Sequence, residues 1–156
     1  MTSPYQPPKA SVADVEPAPG SPVKAVVYGV LVDVGGSLLM GVVLTVVYGV
    51  MLAASGVPPE EMERAMASPD PLSWISIIGN ALGFLASFVG GYVCARVAGR
   101  DEYRWAGVVA VISAIAGFLF GMEAYSIEWN LLLVLLTASA VLAGARTAVR
   151  RKERKA

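Results

Sequence analysis

The sequence predicts an all-α integral membrane protein whose four transmembrane helices form two antiparallel hairpins, with both termini on the cytoplasmic side. The 156 residues are 56% hydrophobic and 15% charged, and the mean hydropathy is +0.63. A soluble domain of this length needs more polar surface. Four apolar stretches are long enough to cross a bilayer, and the basic residues between them fall on one side.

Each of the four stretches comes close to the roughly 20 residues that a bilayer requires. We expect one domain over residues 23–149, in which short connections make neighbouring spans antiparallel. A Pro-Pro pair followed by three glutamates predicts a short surface helix over 58–67 in the first connection. The four spans are residues 25–54, 72–98, 105–122 and 127–149.

The two ends of the chain are predicted to be tails on the cytoplasmic side. Residues 1–22 are rich in proline and are expected to be disordered, with no apolar core typical of a signal peptide, so the first span is retained. Residues 150–156 form a basic tail, which is a topology anchor in our interpretation.

The Lys and Arg residues give the orientation. Only Arg64 falls on the outer side of the four spans, where most loop charges are acidic. Cytoplasmic loops carry an excess of basic residues, so the opposite side is predicted to be cytoplasmic. The residues on that side are Lys9, Lys24, Arg96, Arg100, Arg104, Arg146, Arg150, Arg151, Lys152, Arg154 and Lys155.

Small and polar residues recur every four positions in the first two spans, a glycine-zipper pattern that lets helix backbones approach closely. We expect these two helices to pair along the stripes. Because four residues advance about 400° around a helix, each stripe drifts by roughly 40° per step and favours a right-handed crossing. The spacing leaves open whether the pairing is within or between chains. The stripes are Gly29, Asp33, Ser37, Gly41, Thr45, Gly49 and Gly79, Gly83, Ser87, Gly91, Ala95, Gly99, with shorter ladders at Ser113, Gly117, Gly121 and at Ala140, Gly144, Ala148.

Asp33 is an acidic residue inside the first span, where burying a charged side chain costs free energy. It lies five residues after Tyr28, and if that ring marks the membrane boundary its backbone is about 7 Å inside the hydrocarbon. Arg96 is the expected partner, because the two side chains lean toward each other on antiparallel helices. A proton or cation site and simple interfacial exposure are the alternatives. Asn80, the other polar group inside a span, is expected to form an interhelical hydrogen bond.

Several function classes have no support. The chain has no His and one Cys, which excludes His/Cys metal sites, His-based catalysis and an internal disulfide. Cys94 is expected to be a small packing residue. We expect no enzymatic activity, no cofactor and no nucleic-acid partner, because the spans offer no nucleophile with a base and the basic residues follow topology.

Residues 90–107, Gly-Gly-Tyr-Val-Cys-Ala-Arg-Val-Ala-Gly-Arg-Asp-Glu-Tyr-Arg-Trp-Ala-Gly, resemble a segment of uncharacterised four-helix bacterial membrane proteins. The opening Pro-Tyr-Gln-Pro-Pro-Lys-Ala-Ser-Val is similar to the tail of many small proteobacterial inner-membrane proteins. The resemblance implies a multi-pass fold in the bacterial cytoplasmic membrane and no catalytic or binding residues.

Two functions fit the sequence. The first is a non-enzymatic membrane protein that acts through helix–helix association in the lipid bilayer, with a second copy of itself or with a larger membrane partner. The alternative is a small transporter or channel subunit with a proton or cation site at Asp33.

Overall fold

The computed structural model describes residues 20–67, 70–122 and 124–154, and these residues contain five helices and no strand. Four of the helices are long and apolar enough to cross a membrane, which confirms the expected all-α membrane fold. The bounds differ from the expected spans by up to four residues. The helices are α1 (Pro22–Ala54), α2 (Pro59–Ala67), α3 (Trp74–Ala98), α4 (Glu102–Gly121) and α5 (Ile127–Glu153).

Two segments of the sequence analysis need comment. The expected surface helix over 58–67 is α2, which begins at Pro59. The expected disordered tail over 1–22 lies outside the described residues except for its last three. α5 continues past position 149 through Arg150, Arg151 and Lys152 and ends at Glu153.

Local sequence explains where the helices begin and end. Ser21 precedes α1, and its side chain accepts a hydrogen bond from the Lys24 backbone N–H at 3.5 Å. Ser73 caps α3 in the same way, accepting from the Ser76 N–H at 3.3 Å. Gly99 ends α3 with φ +72°, a left-handed conformation that favours glycine. The chain therefore turns directly into α4.

The helices pack as a rhombus. α3 contacts the other three long helices, and α4 does the same, whereas α1 and α5 do not pack against each other within the described residues. We call one end of the bundle the basic end: there Lys152 donates to the Gly99 carbonyl at 2.8 Å. We call the other the loop end: there the Tyr48 and Trp74 rings meet edge to face at 6.2 Å.

The closest backbone approach joins α3 and α5. A Cβ added at Gly91 would collide with the Val141 carbonyl, and one added at Gly144 would collide with the Phe88 carbonyl. Val141 itself is fully buried. Two backbones in direct contact require that neither helix carries a side chain at the crossing.

α1 and α3 meet in the half of the bundle toward the basic end. A Cβ added at Gly90 would lie 2.7 Å from the Gly29 carbonyl oxygen and 2.7 Å from the Asp33 Cβ. A Cβ added at Gly29 would lie 2.9 Å from the Cys94 side chain and 3.0 Å from the Val109 side chain. Toward the loop end an added Cβ meets no atom within 4 Å at Gly41 or Gly83, although α1 and α3 stay in contact there through Leu44 with Gly79 and through the Tyr48 and Trp74 rings.

The α3 stripe therefore does not face a single partner. Its drift of about 40° per step turns Gly79 toward Leu44 of α1 and Gly91, three steps later, toward α5. Ala95 is buried against alanines of α4 and α5. At the remaining stripe glycines, an added Cβ would lie 3.6 Å from Leu44 at Gly79, 3.5 Å from Met66 at Gly49, and 3.1 Å from Gly20 at Gly99.

Gly91→Ala and Gly83→Ala form a matched pair that tests this packing. Both remove a helical glycine, which favours the helix by up to about 1 kcal/mol. At Gly91 the new methyl meets backbone, so we expect the variant to lose about 2 kcal/mol or more. Gly83→Ala should be unchanged or more stable. Thermal melting in detergent measures both, and equal melting temperatures would contradict the α3–α5 crossing.

Candidate functional site

Asp33 lies in a π-helical turn of α1, over Leu31–Gly35. The Gly36 N–H, at the end of that turn, reaches both the Val32 and the Asp33 carbonyl oxygens. π turns widen a helix locally and are frequent at functional sites. Only 2% of the surface of Asp33 is exposed, so the turn directs a carboxylate into the bundle.

Two serine hydroxyls hold the carboxylate. Ser87 on α3 donates to Asp33 Oδ1 at 2.7 Å, and Ser113 on α4 donates to Asp33 Oδ2. Both serines are buried, with 2% and 4% of their surfaces exposed. Hydrogen bonds to a charged group contribute about 1.5–3 kcal/mol each, so the pair offsets much of the cost of burying Asp33.

All three residues lie at the same depth. Asp33 is eleven residues after the start of α1, Ser113 is eleven after the start of α4, and Ser87 is eleven before the end of α3. Eleven residues of helix measure about 16 Å, roughly half a bilayer core. Asp33 is therefore level with the middle of α3 and the middle of α4.

The expected Asp33–Arg96 pair is not formed. Arg96 lies nine residues beyond Ser87 on α3, or about 13 Å of helix, and its guanidinium lies over the Tyr92 ring at 5.9 Å from the centroid. The two residues lie at different levels of the bundle, because Asp33 packs beside Gly90, six residues or about 9 Å of helix before Arg96. Arg96 is exposed at the basic end.

The hydrogen bonds of Ser87 accommodate two protonation states of Asp33. Ser87 Oγ lies 2.7 Å from Asp33 Oδ1 and 3.0 Å from the Gly83 carbonyl, but a hydroxyl has one proton to donate. When Asp33 is ionised, both serines donate to it. When Asp33 is protonated, it donates to Ser87, and Ser87 donates to Gly83. Neither state leaves a buried polar atom without a partner.

A cavity of about 440 Å³ extends from Asp33 toward α2 and Tyr125 at the loop end. α1 lines one side with Ser37, Gly41 and Thr45, and α3, α4, α5 and the Ala65–Met66 pair of α2 complete the walls. The space lies where α1 and α5 do not pack against each other within the described residues, and where Gly41 and Gly83 carry no side chain to fill it. Its size is that of ordinary small-molecule sites, which measure roughly 300–1,000 Å³.

The cavity unites residues that the sequence treated separately. Asp33, Ser37, Thr45 and Asn80 all line it, whereas the sequence indicated a gap between the first three and Asn80. The stripe residues Gly79, Gly83 and Ser87 line the facing wall. Helical spacing could not predict this shared cavity. It places residues on one face of a helix and does not show which faces of different helices surround the same space.

Sequence reasoning missed the roles of Ser113 and Asn130. Ser113 was counted only as the first member of a packing ladder. Asn130 is 2% exposed, packs against Gly121 and donates to the Phe118 carbonyl at 3.0 Å. The signal for Ser113 was its depth, which equals that of Asp33 once the helix starts are known. Asn130 had no signal beyond its being an amide in an apolar stretch.

Charge in the cavity comes from one residue. Among the described residues that line it, Asp33 is the only Asp, Glu, Lys or Arg, and the other titratable groups are Tyr48 and Tyr125. No cluster of three or more Cys, Asp and Glu residues suited to a metal ion occurs in the described ranges. The site thus offers one carboxylate, two hydroxyls and a largely apolar volume.

Comparison of the chain with models of known families, with curated proteins and with solved structures finds no match. The resemblance of residues 90–107 to four-helix bacterial membrane proteins therefore stays a prediction. The geometry around Asp33 is what carries the argument for function.

A double-mutant cycle of Asp33→Ala with Ser113→Ala tests the site. The two residues share a buried hydrogen bond, so we expect a coupling of about 1–3 kcal/mol in the free energy of unfolding. The matched cycle of Asp33→Ala with Arg96→Ala should give less than about 0.5 kcal/mol, as for independent residues. Unfolding in mixed micelles measures both, and a larger coupling with Arg96 would contradict the structure.

Proposed function

We propose that this chain is a small ion-coupled membrane transporter, or a subunit of one, in which Asp33 takes up a proton or a cation from the cavity. The observation that carries the proposal is a buried carboxylate, with hydroxyl partners suited to both of its protonation states, at the closed end of a cavity. A carboxylate at this depth costs about 2.5–3.5 kcal/mol on insertion scales and is typical of ion and proton pathways.

The cost argues against a purely structural role. A buried ionic or polar cluster is often no more stable than well-packed apolar residues of similar volume. Here the helices already have close glycine contacts at Gly29, Gly90 and Gly91. A neutral side chain that bonded the same two serines would hold the helices as well as an acid does, so exchange of the acid's proton with the cavity is the better account.

The proposed orientation places the cavity on the outer side of a bacterial cytoplasmic membrane, with both termini inside and the spans as two antiparallel hairpins. Lys24, Arg104 and the end of α5 share the basic end, whereas Arg64 is on α2 at the loop end. This follows the positive-inside rule.

Impermeant thiol reagents should label Ser55→Cys and not Arg154→Cys in intact cells, and the reverse would overturn the orientation.

Helix association is a second candidate, favoured by one observation on α1. In the most apolar 18-residue stretch of α1, only 6% is buried inside the bundle, whereas the corresponding share is 22% in each of the other long helices. Val46 lies on this exposed surface and outside the cavity. Oxidative cross-linking of Val46→Cys between copies would support association there, and no cross-link in native membranes would count against it.

Infrared difference spectroscopy between acid and alkaline media tests the exchange of a proton at Asp33. We expect a carboxylic acid band that converts to carboxylate as the pH rises and is missing from Asp33→Asn. The substitution keeps an amide that can bond both serines, so the fold should be retained. Asp101→Asn is the matched control, because Asp101 has φ +53°, which Asn tolerates well. Identical spectra for the wild type and Asp33→Asn would overturn the proposal.

A further inference from the structure

We propose that the cavity binds a monovalent organic cation with a compact apolar body, whose charge is held at Asp33. The inference rests on the proposed function, since it names the class of ligand that would exchange with the proton. It adds a claim about the cavity walls, which proton exchange alone does not require. Three observations carry it: the volume, the walls and the isolated charge.

The volume and the walls require an apolar body. About 440 Å³ is far more than a bare metal ion fills. Most of the wall surface is apolar, although hydroxyl and amide side chains also line it, and apolar wall is hydrated poorly because water needs two to four polar partners. The aliphatic lining includes Val34, Leu38, Leu44, Ile75, Leu133 and Val134.

The charge of the ligand follows from the lining. Asp33 has no Lys or Arg beside it in the described part of the cavity, so an anion would meet an uncompensated carboxylate. A cation would meet an opposite charge at the closed end. Four aromatic side chains also line the cavity and can attract a cation through their ring faces; they are Tyr48, Phe84, Phe120 and Tyr125.

Binding of the cation releases one proton. The protonated Asp33 loses the proton that it donated to Ser87, the ionised carboxylate pairs with the cation, and Ser87 turns its own proton from the Gly83 carbonyl to Asp33. The site carries no net charge before or after. Other titratable groups near Asp33 are Tyr48 and Tyr125 in the cavity and Cys94 on α3, which packs on Gly29. Cation and proton therefore compete for one carboxylate.

Calorimetry with the full chain in nanodiscs tests the inference, with tetraalkylammonium ions as probes. Affinity should rise from tetramethylammonium to tetrabutylammonium and fall as the pH is lowered. Asp33→Asn should bind tetrabutylammonium at least tenfold more weakly. Asp101→Asn, which makes the same change in net charge, should bind like the wild type. Equal binding by both variants would show partition into lipid alone and would overturn the inference.

A second variant leaves Asp33 in place. Gly83 lines the cavity, and its added Cβ meets no atom within 4 Å, so Gly83→Phe should fill the volume and reduce tetrabutylammonium binding at least tenfold. Gly107→Phe is the control, since Gly107 is equally free of neighbours but lies outside the cavity. Binding of Na⁺ or K⁺ without tetrabutylammonium would overturn the organic ligand. If no probe binds while the infrared band of Asp33 titrates, only this inference fails.

Discussion

The structure depends on how one carboxylate is satisfied in the middle of an apolar bundle. Asp33 has no charged partner there, and two hydroxyls from two other helices take that place. Because serine side chains are short, three helix backbones must come close at one depth. The π turn of α1 contributes to this by directing Asp33 inward. The hydrogen bonds and the packing are thus one constraint.

Glycine makes that approach feasible beside Asp33, and glycines that meet no close neighbour leave room for the cavity. Gly29 and Gly90 bring α1 against α3 beside Asp33, and Gly91 and Gly144 bring α3 against α5. Each stripe rotates around its helix, so contact with one neighbour gives way to contact with another. Toward the loop end, Gly41 and Gly83 line the space between the helices and carry no side chains to fill it.

The sequence could predict the four helices and the importance of Asp33, because hydropathy and the cost of a buried charge are properties of the residues themselves. It could not predict the partner of Asp33. The sequence does not show how α1 and α3 are aligned along their lengths, and in the structure Asp33 is level with Ser87, about two and a half turns from Arg96. That alignment replaces the expected salt bridge with two hydrogen bonds from hydroxyl groups.

The cavity was beyond reach of sequence reasoning for a related reason. Ser37, Thr45 and Asn80 appear in the sequence as separate polar positions, and only the packing of several helices around one space brings them together. That packing depends on contacts between helices that are distant in the sequence. A four-residue spacing gives the stripe and does not give its partner.

Solid-state NMR of the protein in bilayers tests the central claim most directly. With Asp, Ser and Arg labelled with ¹³C, the side-chain carboxyl carbon of Asp33 should show cross-peaks to the Cβ atoms of both Ser87 and Ser113, each removed by the corresponding Ser→Ala substitution. A cross-peak from Asp33 to the guanidinium carbon of Arg96, with none to the two serines, would contradict the account.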